Sequence, residues 1–246
     1  MGAGMTRHQR VFLSDLHLET HEDHRFARFA ECLHTESRWA DEVFVLGDLF
    51  EAWVGDDDDS DLAVAACAVL RDAAAHARLR FMPGNRDFLC GSGFAERTGA
   101  VLIDDPHRTG DGLLLTHGDA LCTGDADYME FRATVRSATW RTNMLARPLE
   151  ERRRIGAEMR AASAAANANK ADNIMDVTPA EVDRLLKTGK SRTLIHGHTH
   201  RPAVHRAAGA YRYVLGNWDR CGWLLRQRDR QLDLECFSLA VPYRQP

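Results

Sequence analysis

Short apolar runs, each cut off by a polar turn, set the pattern of this chain. Arg10 to Leu13, Glu42 to Leu46, Arg80 to Met82, Gly112 to Thr116 and Thr193 to Ile195 are three to five residues long and mostly apolar. Runs of that length bounded by turn formers read as strands buried on both faces. Each one ends in a turn bearing Asp, Asn or His: Ser14-Asp15-Leu16-His17, Gly47-Asp48-Leu49-Phe50, Pro83-Gly84-Asn85-Arg86-Asp87, His117-Gly118-Asp119 and His196-Gly197-His198-Thr199-His200. Between the runs, helical spacing predicts a helix around His24 to Cys32, with Phe26, Phe29, Ala30 and Leu33 on one side, and an alanine-rich helix from Leu62 to Leu79. Strands alternating with helices predict an α/β fold. In such layered folds, sites form where the carboxyl ends of strands gather.

The rhythm changes from 125 to 187, which reads almost wholly helical: Asp125 to Leu145, Pro148 to Ala171 and Pro179 to Leu186. This stretch is expected to be a helical cap inserted within one domain spanning 1–246. After Pro202, short strands at Tyr211 to Leu215, Gly222 to Arg226 and Leu232 to Phe237 are expected to close a second sheet in antiparallel fashion. Residues 1–9 read as a disordered leader.

Composition narrows the class. With 246 residues, 44% of them hydrophobic and 28% charged, the chain can bury a sizeable core as an ordinary globular domain. A formal charge of −4 argues against a global basic field, so nucleic acid is not an expected partner. The six cysteines show no C-x-x-C pairing, which fits a reducing compartment better than a disulfide framework. No apolar run approaches a bilayer-spanning length and no secretory pattern opens the chain, so the expectation is a cytoplasmic protein, by default a monomer.

The turns hold the candidate chemistry. Asp15, His17, Asp48, Asn85, His117, His198 and His200 combine carboxylate, amide and imidazole donors without a thiolate. That mixture suits divalent Mn, Fe or Zn in five or six coordination better than a structural zinc. Seven donors exceed one ion, and two ions with a bridging carboxylate form a clamp for phosphoryl transfer. An Asp at a strand end is also a common turn or N-cap residue, so no single position decides the matter.

The motifs D-x-H, G-D, G-N, H-G-D and G-H-x-H, in this order, resemble the calcineurin-like metallophosphoesterases. That resemblance implies a four-layer α/β/β/α sandwich of two mixed sheets, an α/β (α+β) arrangement, with the inserted cap above. It also implies that Asp15, His17, Asp48 and His200 hold one metal and Asp48, Asn85, His117 and His198 the other, with Asp48 bridging. Most members of the superfamily carry a histidine after Gly-Asn, where this chain has Arg86. A guanidinium keeps its proton and offers a planar fork to phosphate oxygens, so Arg86 is expected to stabilise charge in the transition state. The alternative for Arg86 is an ion pair with Asp87 or another nearby acid.

The longer stretches around these motifs, from Phe12 to Leu18, Leu46 to Trp53, Gly84 to Leu89, His117 to Thr123 and Ile195 to His205, are similar to the UDP-2,3-diacylglucosamine diphosphatases of lipid A synthesis. The similarity implies hydrolysis of UDP-2,3-diacylglucosamine to UMP and 2,3-diacylglucosamine 1-phosphate. It implies two Mn(2+) ions; the donor count and Arg86 add the expectation of hydroxide attack on the α-phosphorus, with Asp48, Asn85 and Arg86 as the catalytic set. Asn85, Arg86, Asp125, Tyr128, Arg160, Ser163, Asn167, Lys170 and His198 would contact the substrate. Ser163, Asn167 and Lys170 share one helix face with Arg160 a turn earlier, a pattern that also describes a solvated face. Six arginines against three glutamates between Trp140 and Arg160 suggest peripheral contact with an anionic membrane surface, from the cytoplasmic side of the inner membrane. Rival readings are another dinuclear-metal phosphoesterase and a non-catalytic metal-binding scaffold.

Overall fold

The structure is a computed structural model that describes residues 9–167 and 176–245; residues 1–8, the side chain of Asn167, and Lys170 lie outside the described residues. Two sheets face each other. The first has the order β11-β10-β1-β2-β3-β4, formed by β1 (Gln9–Leu13), β2 (Glu42–Val45), β3 (Arg78–Phe81), β4 (Val101–Leu102), β10 (Cys221–Arg228) and β11 (Gln231–Ser238). The second runs β5-β6-β7-β9-β8, from β5 (His107–Arg108), β6 (Leu114–Leu115), β7 (Thr193–His196), β8 (Ala203–Ala207) and β9 (Ala210–Val214). Both are mixed: β1, β2, β3 and β4 are parallel while β10 is antiparallel to β1, and β7 is parallel to β6 and β9 while β8 is antiparallel to β9.

Strand alternation sorts the core into layers. Val11, Leu13, Val43 and Val45 point outward to α1 (His24–Ser37), α2 (Asp61–Ala74) and α3 (Ser92–Thr98), packing with Phe29, Leu70 and Phe94. Phe12 and Phe44, stacked with ring centroids 4.9 Å apart, point inward against Leu115, Ile195 and Leu215 of the facing sheet. On the far side of that sheet, Val182 and Leu186 of α7 (Pro179–Thr188) cover Leu114 and Leu194. Helices, sheet, sheet and helix make the four-layer sandwich.

Several sequence expectations change in detail. Gln9 is the first residue of β1 and pairs with Arg228, so the strand begins inside the stretch read as leader. The alanine-rich helix ends at Ala74, because Arg78 to Phe81 extends as β3 beside β2. The cap's first helix divides into α4 (Ala126–Val135) and α5 (Ala138–Leu145), since Ser137 turns extended and accepts the Trp140 N–H as a new N-cap. α6 (Leu149–Asn167) follows. α7, expected in the cap, belongs to the sandwich because its apolar stripe meets Leu114 and Leu194. Of the late strands only β9 enters the second sheet; β10 and β11 extend the first.

One buried ion cluster ties α1 to the late hairpin. Arg226 of β10 and Glu36 of α1 are 1% and 0% exposed, and their side chains meet at 2.8 Å, with Tyr243 and Glu235 completing the group. Removing one partner strands a buried charge, which costs about 3–5 kcal/mol. Glu36→Ala is therefore expected to lower the melting temperature by about 10 °C, read by scanning calorimetry. A fall below about 3 °C would show that Glu235 alone suffices for Arg226.

Candidate metal centre and its surroundings

The five polar turns converge because the strands carrying them are parallel neighbours within each sheet and the sheets face each other. Backbone hydrogen bonds join the turns directly: the Asp15 N–H donates to the Gly47 carbonyl at 3.1 Å, His17 N–H to the Asp48 carbonyl at 3.0 Å, and Gly197 N–H to the His117 carbonyl at 2.9 Å. Two glycines permit the approach. A Cβ on Gly84 would lie 2.3 Å from Asp48 Oδ1, and one on Gly197 would lie 2.2 Å from Asp15 Oδ2.

Asp15, His17, Asp48, His198 and His200 all adopt left-handed backbone conformations, with φ of 57°, 50°, 54°, 67° and 54°. Such conformations cost of order 1 kcal/mol or more each in non-glycine residues and persist where surrounding structure imposes them, typically at functional sites. Here they aim side chains at two points. Asp15, His17 and His200 form one potential metal-holding group; Asp48, His117 and His198 form the second. Asp48 stands between them: its Oδ1 is 3.6 Å from His117 Nε2 and its Oδ2 is 3.8 Å from His17 Nε2. Asn85 Oδ1 lies 2.8 Å from both His117 Nε2 and His198 Nδ1. All seven sequence-predicted donors thus come together.

The surroundings test whether the donors suit metal ions. His17 Nδ1 sits 2.8 Å from Glu51 Oε2, and His117 Nδ1 donates to the Leu46 carbonyl at 2.8 Å. Each ring's other nitrogen is thereby left facing the site, the arrangement that fixes an imidazole ligand's tautomer. His17 Nε2 and His200 Nε2 approach to 3.1 Å, two ligand nitrogens aimed at one place. The electrostatics agree. Burial opposes a charge on His117, yet the Asp48, Asp119 and Asp15 carboxylates outweigh it and push its pKa up to about 9. Burial and the neighbouring His117 push His198 down to about 4, which keeps it neutral. Burial alone would raise Asp15, but His200, with His117 and His17, holds it far below the usual carboxylate range. The carboxylates that raise His117 can equally hold divalent cations in place of its proton, and His198 is already neutral, so the donor set suits such ions.

Arg86 is fixed by its backbone: its N–H donates to Asp48 Oδ1 at 2.8 Å and its carbonyl accepts the Trp53 N–H at 3.0 Å. Its Nε is shielded from solvent without a hydrogen-bond partner among the described residues, and its Nη1 lies 3.8 Å from Glu51 Oε1. The nearby acid is therefore Glu51 and not Asp87. Asp87 is fully buried and accepts N–H groups from Gly84 at 2.6 Å and Leu49 at 2.8 Å, binding the Gly-Asn turn to the Gly-Asp turn. Burial and the Asp48 carboxylate push Asp87 up to about 6.

Two networks escaped the sequence reading. Glu51 meets His17, Arg86 and Arg160, the last at 3.3 Å. Asp119 accepts from Arg132 Nε at 2.8 Å, Tyr128 Oη at 3.0 Å and Arg136 Nη2 at 3.2 Å, and so docks α4 beside the site. The spacing of Tyr128, Arg132 and Arg136, four residues apart on one helix face, was the available signal.

The cap encloses two spaces. A pocket of about 220 Å³ above the donors is lined by Asn85, Arg86, Asp125, Tyr128, Ser163 and Arg201 among others. Asp125 is also the N-cap of α4, accepting the Tyr128 N–H at 3.1 Å. Beside it lies a cavity of about 320 Å³ with Trp53, Val54, Phe88, Leu89, Phe131, Trp140 and Met159 in its walls, and Arg86, Tyr128, Arg160 and Ser163 at its polar end. The cap arginines are not a free basic face. Arg152 is 2% exposed and pairs with Asp57, Arg153 meets Asp58 and Asp59 at 2.7 and 2.6 Å, and Arg147 and Arg154 pair with Glu151 and Glu158. Trp140, Met144 and Ile155 pack into the core. Among the described residues no helix is long and apolar enough to cross a membrane.

Residues 9–202 match the calcineurin-like phosphoesterase family. The chain is 46% identical to a Chromohalobacter salexigens protein called UDP-2,3-diacylglucosamine hydrolase, covering 89% of this chain and 93% of that protein. Proteins of the same name from Cellvibrio japonicus and Pseudomonas fluorescens are 44% and 40% identical, covering 87% and 94% of this chain and 93% and 96% of theirs. The chain belongs to the calcineurin-like phosphoesterase family, and within it to the UDP-2,3-diacylglucosamine hydrolases.

Proposed function

We propose that the protein hydrolyses the pyrophosphate of UDP-2,3-diacylglucosamine, releasing UMP and 2,3-diacylglucosamine 1-phosphate. One observation carries the reading: two metal-holding groups, one of them containing Asp48, open onto a pocket that shares Asn85, Arg86, Tyr128 and Ser163 with an apolar cavity, so phosphoryl chemistry and acyl-chain binding share a wall. Asp15, His17, Asp48 and His200 hold one ion and Asp48, Asn85, His117 and His198 the other, with manganese the ion used. Bound divalent ions polarise phosphoryl oxygens and supply a water of lowered pKa. Arg86, which lines both spaces, places its fork on the phosphate at the acyl side. Asp125, Tyr128, Arg160 and Ser163 grip the glucosamine and its phosphate, and Asn167 and Lys170 continue that set. An acyl chain fills the cavity between Trp53, Phe88 and Trp140.

Water adds to the uridine-side phosphorus, and the bond from that phosphorus to the bridging oxygen breaks. Reaction in oxygen-18 water is expected to label UMP, read by mass spectrometry. Label only in the sugar phosphate would contradict this regiochemistry.

The protein acts at the cytoplasmic face of the inner membrane, because a diacylated substrate resides in a bilayer. With its arginines largely paired, the cap meets lipid through Phe131, in the cavity wall, and Leu145, next to the cavity residue Met144, which are 45% and 42% exposed. The double variant Phe131→Ser/Leu145→Ser is expected to lose at least about half of its binding to anionic phospholipid vesicles in sedimentation. Undiminished binding would remove these side chains from the contact.

A further inference from the structure

Three spaces lie in a row. The apolar cavity shares Asn85, Arg86, Tyr128 and Ser163 with the pocket above the metal groups, and that pocket shares Thr199 and Arg201 with a third cleft of about 240 Å³ on its other side. The cleft is floored by the β8–β9 hairpin. Ala203 opposes Val214 and His205 opposes Arg212 in the antiparallel register. Directly opposed residues share a face, and so do residues two apart along a strand, so these four side chains form one surface. It is a small apolar strip, Ala203 and Val214, leading to two donors, Arg212 and His205.

Asp176 lines the same cleft, held by Arg201 Nη1 at 3.2 Å. Its other oxygen accepts the Val177 N–H at 2.7 Å, and because a carboxylate has four acceptor sites, acceptors remain for a ligand. One Arg212 N–H reaches His196 Nε2 at 3.2 Å, and His196 Nδ1 lies 2.8 Å from the Gly197 carbonyl. The guanidinium is thus braced from behind by a histidine whose tautomer the backbone fixes. At the junction with the metal pocket, Thr199 Oγ1 is screened from solvent and has no hydrogen-bond partner among the described residues. The order of spaces is apolar, phosphate-handling, then one that brings two donors, Arg212 and His205, together with an acceptor, Asp176. The complement of the last is a planar heterocycle with carbonyl oxygens and a ring N–H, attached to a phosphate.

We infer that this cleft is the nucleoside subsite and that it selects uracil, with carbonyl oxygens toward Arg212 and His205 and the ring N–H toward Asp176. The inference rests on the proposed substrate and adds which residues read its base. Cytosine replaces one carbonyl by an amino donor and the ring N–H by a lone pair, so it sets donor against donor and acceptor against acceptor. A site built to hydrogen-bond a group rejects the analogue lacking it.

Calorimetric titration with UMP, CMP and ribose 5-phosphate tests the subsite by binding alone. In the wild type UMP is expected to bind at least about tenfold more tightly than either of the others. Arg212→Gln is expected to bring UMP to within about twofold of ribose 5-phosphate while leaving affinity for 2,3-diacylglucosamine 1-phosphate unchanged. His205→Ala, at an exposed edge-strand position, is expected to weaken UMP by about threefold or more and provides the check if the arginine variant folds poorly. Equal binding of UMP and ribose 5-phosphate by the wild type would overturn the subsite, as would UMP affinity untouched in both variants. Turnover of the uridine lipid without any base preference would remove the subsite and leave the hydrolase function standing.

Discussion

Asp48→Asn is expected to abolish hydrolysis, with kcat/KM falling by about 10⁴-fold or more, while the domain remains folded. The size follows from position. Asp48 is 2% exposed, and its two oxygens face opposite ways, one toward His117 and one toward His17. Among the described residues no other carboxylate spans both groups, so its loss uncouples the two halves of the site together. The fold survives because asparagine keeps an acceptor for the Arg86 N–H, a bond of 2.8 Å. It removes a charge beside buried Asp87, which offsets the loss of the carboxylate that supports the His117 charge. The melting temperature of the metal-free variant is therefore expected to stay within about 5 °C of the wild type. Metal content by mass spectrometry should fall with activity, and near-normal turnover with unchanged metal content would remove Asp48 from its bridging place.

Arg86→Ala is expected to lower kcat by about 10²–10³-fold with a smaller change in KM. Arg86 lines both the donor pocket and the apolar cavity, with a shielded Nε that has no partner among the described residues. A buried donor left unpaired is costly in the free protein and is satisfied when an anionic oxygen arrives. Arg86→Lys keeps the charge without the planar fork, so it should recover only about tenfold of the loss. Full recovery would mean that charge alone matters at this position. A KM effect with unchanged kcat would assign Arg86 to ground-state binding.

The legible part of this molecule was the local part. Each donor turn is written in consecutive residues, Asp15-Leu16-His17 or His198-Thr199-His200, after a buried run, and strand ends gather by the rules of layered α/β folds. What could not be read depends on partners far apart in the chain. Glu51 acquires its role from Arg160, more than a hundred residues away, and Asp119 acquires its role from a helix whose docking it causes. Asp56 to Asp59 are four consecutive acids with no cation nearby in the sequence, yet two of the cap arginines close over Asp57, Asp58 and Asp59. That pairing removes much of the basic surface that local charge counting predicts. Strands β4 and β5, two residues each, are too short for any periodicity. α7 reads as helix correctly, but only its contact with Leu114 and Leu194 decides that it belongs to the sandwich.

The most direct measurement strips the protein of metal with a chelator and offers it UDP-2,3-diacylglucosamine with and without added Mn(2+). A simple phosphodiester is offered in parallel. The account predicts no turnover without metal, release of UMP and 2,3-diacylglucosamine 1-phosphate on adding it back, and a rate on the uridine lipid exceeding that on the diester by at least about 10³-fold. Metal-independent turnover, or equal rates on the two substrates, would contradict it.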